Sequence, residues 1–131
     1  MSPKTWIAVA ALWAGLGVVA GAFGAHALEE RLVEAGQLDT WETAVRYQVW
    51  HALALFAWAL HAQAGGAIRA RAAAWCFLVG SLCFSGSLYG LALLPEGGVR
   101  SALGPVTPLG GLFLILGWAS IALAALRSPS A

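Results

Sequence analysis

The sequence predicts an all-α integral membrane protein, a four-helix up-down bundle with a short amphipathic helix at the interface between its first and second spans. Three observations carry this expectation. Hydrophobic residues fill 60% of the 131 positions and charged residues only 10%, against roughly 45–50% and 25% in soluble domains. A soluble domain of this size has too little interior to hide so much apolar surface. The charged residues are also grouped, leaving four apolar stretches near the roughly 20 residues that cross about 30 Å of hydrocarbon. Between these stretches stand turn signals and charge clusters, so the whole chain reads as one membrane domain with spans at about 6–28, 45–64, 72–94 and 106–126.

The first span, Trp6 to Leu28, holds no acidic or basic residue except His26. Lys4, the apolar run and Ala25-His26-Ala27 share features with a signal peptide. The run is longer than a signal core, and no polar stretch precedes the Ala-x-Ala, so it is assigned as a span. Leu28 to Ala35 then mixes Leu28, Leu32 and Val33 with Glu29, Glu30, Arg31 and Glu34, which predicts two amphipathic turns lying at the interface. Gly36 is placed to end them. Asp39-Thr40-Trp41-Glu42 reads as a capping box opening the second helix. Glu42 and Arg46 then stand at i,i+4 in the better orientation for an ion pair, worth about 0.2–0.5 kcal/mol when exposed. Gln63 to Arg71 reads as a cytoplasmic loop. The third span is uncharged from Ala72 to Leu94, Pro95-Glu96-Gly97-Gly98 is a turn signal, and the fourth span runs from Val106 to Leu126.

Charge bounds both orientation and partners. Lys4, Arg69, Arg71 and Arg127 fall on one side of the predicted bundle. Arg31, Arg46 and Arg100 fall on the other, with all six acidic residues. Counting Lys and Arg near the spans favours both termini in the cytoplasm. A net charge of +1 lacks the massed Lys and Arg of a nucleic-acid face, so no nucleic-acid partner is expected. Cys76 and Cys83, seven residues apart on one helix, have Cα atoms about 10 Å apart, too far for a disulfide. Trp6, Trp41 and Trp75 lie near span ends, where indoles settle at headgroups. Trp50, four residues from Arg46, is placed to stack on its guanidinium.

The polar residues converge on the end of the bundle that holds the acids. His26 closes span one; Arg46, Tyr47, Gln48 and His51 open span two, with Tyr47, Gln48 and His51 on one face. Ser85, Ser87 and Tyr89 lie in span three and Thr107 begins span four. Buried polar groups in a membrane point into the bundle or towards a cavity. These nine therefore form a candidate ligand or lipid pocket, with Arg46 as an anchor for an anion or headgroup and His26 and His51 at comparable depth. The same residues can instead hydrogen-bond one another and hold the bundle together, at about 0.6 kcal/mol a pair. Gly17, Gly21 and Gly24, Gly86 and Gly90, and Gly110 and Gly111 mark helix faces open to close packing. No catalytic set, phosphate loop or metal motif is present, so no catalytic residue, metal or cofactor is assigned.

Five segments carry a family resemblance: Gly-Ala-Phe-Gly-Ala-His (21–26), Thr-Ala-Val-Arg-Tyr-Gln-Val-Trp-His-Ala-Leu-Ala-Leu (43–55), Phe-Ser-Gly-Ser-Leu-Tyr (84–89), Thr-Pro-Leu-Gly-Gly (107–111) and Gly-Trp (117–118). In the same order they resemble the bacterial membrane-protein family called domain of unknown function 423, to which eukaryotic transmembrane protein 256 is similar. The resemblance implies a four-span inner-membrane protein of unestablished function and supplies no catalytic residues. The leading expectation is a non-enzymatic bundle that binds membrane lipid, a second copy of itself or a membrane-protein partner. The alternatives are a small transporter or channel subunit, and a haem- or quinone-linked redox protein using His26 and His51.

Overall fold

The computed structural model describes residues 1–65 and 71–127. Every regular element among them is helical: α1 (Pro3–Ala25), α2 (Glu29–Glu34), α3 (Leu38–Gln63), α4 (Arg71–Leu93), α5 (Gly98–Leu103) and α6 (Val106–Leu126). Three stretches, Pro3–Ala25, Arg71–Leu93 and Gly98–Leu126, are long and apolar enough to cross a membrane. Helix α3 is longer than any of the other helices, but its first turns carry Asp39, Glu42 and Arg46. Arg69, in the expected cytoplasmic loop, and the tail 128–131 lie outside the described residues.

Local chemistry sets the helix ends. The Thr5 backbone N–H donates to Ser2 Oγ at 3.2 Å, and Pro3 sits in the first turn, where its missing N–H costs nothing. Helix α2 closes in a Schellman turn. Gly36 takes φ 63°, its N–H reaches the Val33 carbonyl at 3.0 Å, and the Gln37 N–H reaches that of Leu32 at 2.8 Å. That turn corrects the expected capping box. It leaves the Gln37 carbonyl accepting the Trp41 N–H at 3.0 Å, so α3 starts at Leu38 with no side-chain cap. Asp39 is thereby drawn into the first turn, where its charge suits the positive end of the helix dipole. The connector before α6, read from sequence as turn and loop, contains the short helix α5.

Side-chain contacts fix the packing directions. Trp6 meets Trp58 and Trp41 meets Ala20, so α1 and α3 run antiparallel. Tyr47 stacks on Phe84 and His51 lies against Phe77, so α3 and α4 do too. Ser87 meets Thr107 and Phe77 meets Trp118, which sets α6 antiparallel to α4. One end of the molecule therefore gathers Lys4, Arg71 and Arg127; the other gathers α2, α5 and all six acids. At that second end two arginines cap the exposed carbonyls of α4. Arg31 Nη2 donates to Leu93 O at 2.7 Å and Arg100 Nε donates to Leu91 O at 3.2 Å.

Two apolar clusters fill the interior. The larger joins Trp6, Ala10, Leu55, Ala59, Ala74, Phe77 and Leu114; the smaller joins Leu32, Trp41 and Ala92 beneath α2. Trp6 and Trp41 are thus packing residues, 4% and 7% exposed, and do not project to headgroups as their positions near helix ends suggested. Trp75 is half exposed and meets Trp6 edge-on at 5.0 Å. Cys76 and Cys83 are both free.

Helix α6 lies principally along α4, and glycine makes this approach possible. A Cβ on Gly110 would collide with the Phe84 backbone and stand 2.9 Å from Gly80 O; one on Gly117 would meet the Phe77 ring at 2.7 Å. A Cβ on Gly86 would meet nothing within 4 Å. Gly110→Ala is therefore expected to force α6 off α4 and lower stability by about 1–3 kcal/mol, seen as a reduced melting temperature in detergent. Gly86→Ala should leave the melting temperature unchanged or raised, because it adds helix propensity without a clash.

Candidate functional site: a saturated polar seam flanked by two grooves

The largest fully buried polar side chain is Gln48, 1% exposed on α3 between α1 and α4. An unpaired amide in an apolar interior costs several kcal/mol, about 2–7 by reference state, and both ends of this one are satisfied. Nε2 donates to the Trp13 carbonyl at 2.9 Å, and Oε1 accepts from the Tyr89 hydroxyl at 2.8 Å. The approach to α1 depends on Gly17, where a Cβ would stand 2.7 Å from Val49 and 3.5 Å from Gln48 Nε2. Trp13 completes the link by donating its indole N–H to Ser81 Oγ at 2.7 Å. Each pair among the three helices is therefore joined through this seam, and α1 and α3 are joined a second time where the Trp41 indole donates to Ala20 O.

The other predicted residues sit apart from this seam. Ser87 donates to Phe84 O at 2.9 Å, which commits its single proton, so the 2.7 Å contact with Thr107 has the threonine hydroxyl as donor. Ser85 is fully buried one turn from both Ser81 and Tyr89, and its Oγ has no partner among the described residues. Arg46 is exposed at the rim, paired with Glu42 at 3.7 Å. Trp50 lies against Tyr47 at 5.4 Å, where the sequence placed it on Arg46.

His51 and His26 do not meet. His51 Nδ1 lies 2.8 Å from Tyr47 O, and Nε2 lies 3.2 Å from Trp118 Nε1. A carbonyl only accepts and an indole N–H only donates. This assigns the neutral ring with its proton on Nδ1, and both nitrogens are engaged. His26 is the exposed cap of α1, beyond the level of Trp41. His51 is ten residues further along α3, about 15 Å deeper, so the two are not at comparable depth. An iron or proton acceptor at His51 would first have to displace Trp118 or Tyr47.

Two open grooves flank the seam. The first, about 490 Å³, runs between α1 and α3 over Gly21, Gly24, Val45 and Val49, with Trp41 and Trp50 beside it and Glu29, Glu42 and Arg46 at the rim. The second, about 560 Å³, lies between α3 and α6 and is lined by Tyr47, Trp50, His51, Phe84, Leu114 and Trp118. Of the nine predicted residues, Arg46 faces the first groove and Tyr47 and His51 the second. Among the described residues, no group of three His, Cys, Asp or Glu side chains could hold a metal ion.

Residues 20–111, which contain the polar seam apart from Trp13, match the model of a protein family of unknown function, DUF423. The chain belongs to the DUF423 family. It is 43% identical over 114 residues to the UPF0382 membrane protein C1782.12c of Schizosaccharomyces pombe, covering 86% of this chain and 94% of that protein. It is 40% identical over 125 residues to the UPF0382 membrane protein YwdK of Bacillus subtilis, covering 95% and 98%. A UPF0382 membrane protein of Haemophilus influenzae is 37% identical over 113 residues, covering 86% of each chain. No solved structure matches. Four of the five segments that carried the resemblance, all but Gly117-Trp118, fall inside the matched DUF423 region.

Sequence reasoning missed three residues in this DUF423 member: Trp13, Ser81 and Trp118. Trp13 and Ser81 are far apart in sequence, and a tryptophan inside a span reads as apolar bulk until its N–H is asked for a partner. Trp118 could have been found from its place in the Gly-Trp segment. Three variants test the seam. Tyr89→Phe should cost about 0.6–1.7 kcal/mol, and Gln48→Leu should cost more. The double variant should cost less than their sum, since each single change strands the other's partner. Thermal unfolding in detergent reads all three.

Proposed function

We propose that this protein is a four-span, multi-pass protein of the inner (plasma) membrane, with both termini in the cytoplasm, whose role is to bind a membrane lipid along the α1/α3 groove without catalysis. The four-span reading is supported by the position of α3. It lies antiparallel between α1 and α4, its buried Gln48 is satisfied by those two helices, and its outer face exposes Trp50, Leu53 and Leu60. A helix so placed crosses wherever its neighbours cross. On this reading the exposed leucines and valines of α1 and α6 face acyl chains.

The observation that carries the lipid reading is the shape of the first groove. Its floor is backbone at Gly21, the Trp41 indole seated on Gly24, and apolar side chains from α3, and it ends in charged residues at the helix ends, where headgroups would lie. The buried Gln48, His51, Ser81 and Ser87 side chains, by contrast, all have hydrogen-bond partners within the bundle, which supports a structural role for them.

Native mass spectrometry of protein extracted in mild detergent tests the proposal. Wild type should retain one phospholipid, and Gly21→Leu, which fills the floor, should lose it while keeping its melting temperature. Lipid-free wild type would sink the reading. For orientation, a carboxy-terminal green fluorescent protein fusion should fluoresce and an alkaline phosphatase fusion at the same point should be inactive. The reverse pattern would invert the topology.

A further inference from the structure

We infer, resting on the lipid reading above, that the α1/α3 groove selects a phospholipid whose headgroup carries a primary ammonium beside its phosphate, an ethanolamine-type lipid. The rim holds Glu29 from α2 and Glu42 and Arg46 from α3, so the groove presents two carboxylates and one guanidinium. A purely anionic headgroup would add a negative charge to a rim that is already net negative. A headgroup with both signs matches it.

The geometry gives each sign a partner. Arg46 and Glu42 stand 3.7 Å apart and both side chains are more than half exposed. That separation is an ion pair longer than a hydrogen bond, so the N–H donors of the planar Arg46 fork are not taken up by Glu42 and can reach two phosphate oxygens. Glu42, one helical turn nearer the start of α3, and Glu29 across the groove then offer carboxylate oxygens to an ammonium with three N–H donors. A choline headgroup has no such donors, so it keeps the charge match and loses the hydrogen bonds. One acyl chain follows the floor over Gly21 between Val45 and Val49.

The test uses the full chain in detergent with an equimolar mixture of ethanolamine, choline and glycerol phospholipids of identical acyl chains, read by native mass spectrometry. Wild type should carry the ethanolamine lipid over each of the others by roughly fivefold, the scale of one surface charge-assisted contact. Glu29→Gln/Glu42→Gln should bind lipid with that preference erased, and Arg46→Gln should lose affinity for all three. Glu29→Gln alone, at an exposed site, should halve the preference and serves if the double variant does not fold. Equal or stronger binding of the choline or glycerol lipid by wild type, or a preference that survives both glutamate changes, would overturn the headgroup assignment and leave lipid binding standing. Absence of every adduct would overturn both.

Discussion

The side-chain amide of Gln48 is the constraint on which the rest of the packing depends. In a chain where 60% of residues are hydrophobic, a primary amide at 1% exposure is tolerable only with both ends engaged. Its partners come from two different helices, the Trp13 carbonyl and the Tyr89 hydroxyl. Apolar faces slide past one another at little cost; two hydrogen bonds of fixed length do not. The amide therefore sets the axial register of α1 and α4 on α3, and Trp13 to Ser81 closes the triangle.

Glycine supplies the distance over which that register can act. Gly17 admits Gln48 and Val49, and Gly24 admits the Trp41 indole, which hydrogen-bonds Ala20 O at 3.0 Å. On the other side Gly80, Gly110 and Gly117 let α6 lie against α4. Helix α6 is held by fit along α4, by the Thr107 hydroxyl on Ser87 and by the bond from Trp118 to His51, and the space left between α6 and α3 is the second groove.

The end of the molecule that carries α2 and α5 holds arginines of two kinds. Arg31 and Arg100 are committed to the carboxyl end of α4, which fastens both short helices there. Arg46 is not so committed, and it stands over the groove whose floor is Gly21 and Gly24. Three arginines of one side thus divide into two that finish the fold and one that faces outward. Nothing in their sequence neighbourhoods, each within four residues of a glutamate, separates the two kinds.

Much of the architecture was legible because it rests on local chemistry and bulk composition. Apolar stretches of membrane-crossing length, a glycine able to take φ 63° after α2, and an i,i+4 pair of Glu42 and Arg46 need no knowledge of what packs where. Family membership was legible too, since short polar-and-glycine segments survive as words in the sequence. The site was not. His26, Gln48, His51 and Ser87 fell on one side of a predicted bundle and read as one cluster, but helix rotation and axial offset send them to different neighbours. Those two quantities come from side chains meeting across helices, as at Gln48 with Tyr89 or His51 with Trp118, and no spacing within one helix encodes them. The sequence by itself determined that these helices would form and what solvent they would need. Only the tertiary structure decided which polar groups satisfy each other in the interior and which, like Arg46 with Glu42, stay paired at an exposed rim.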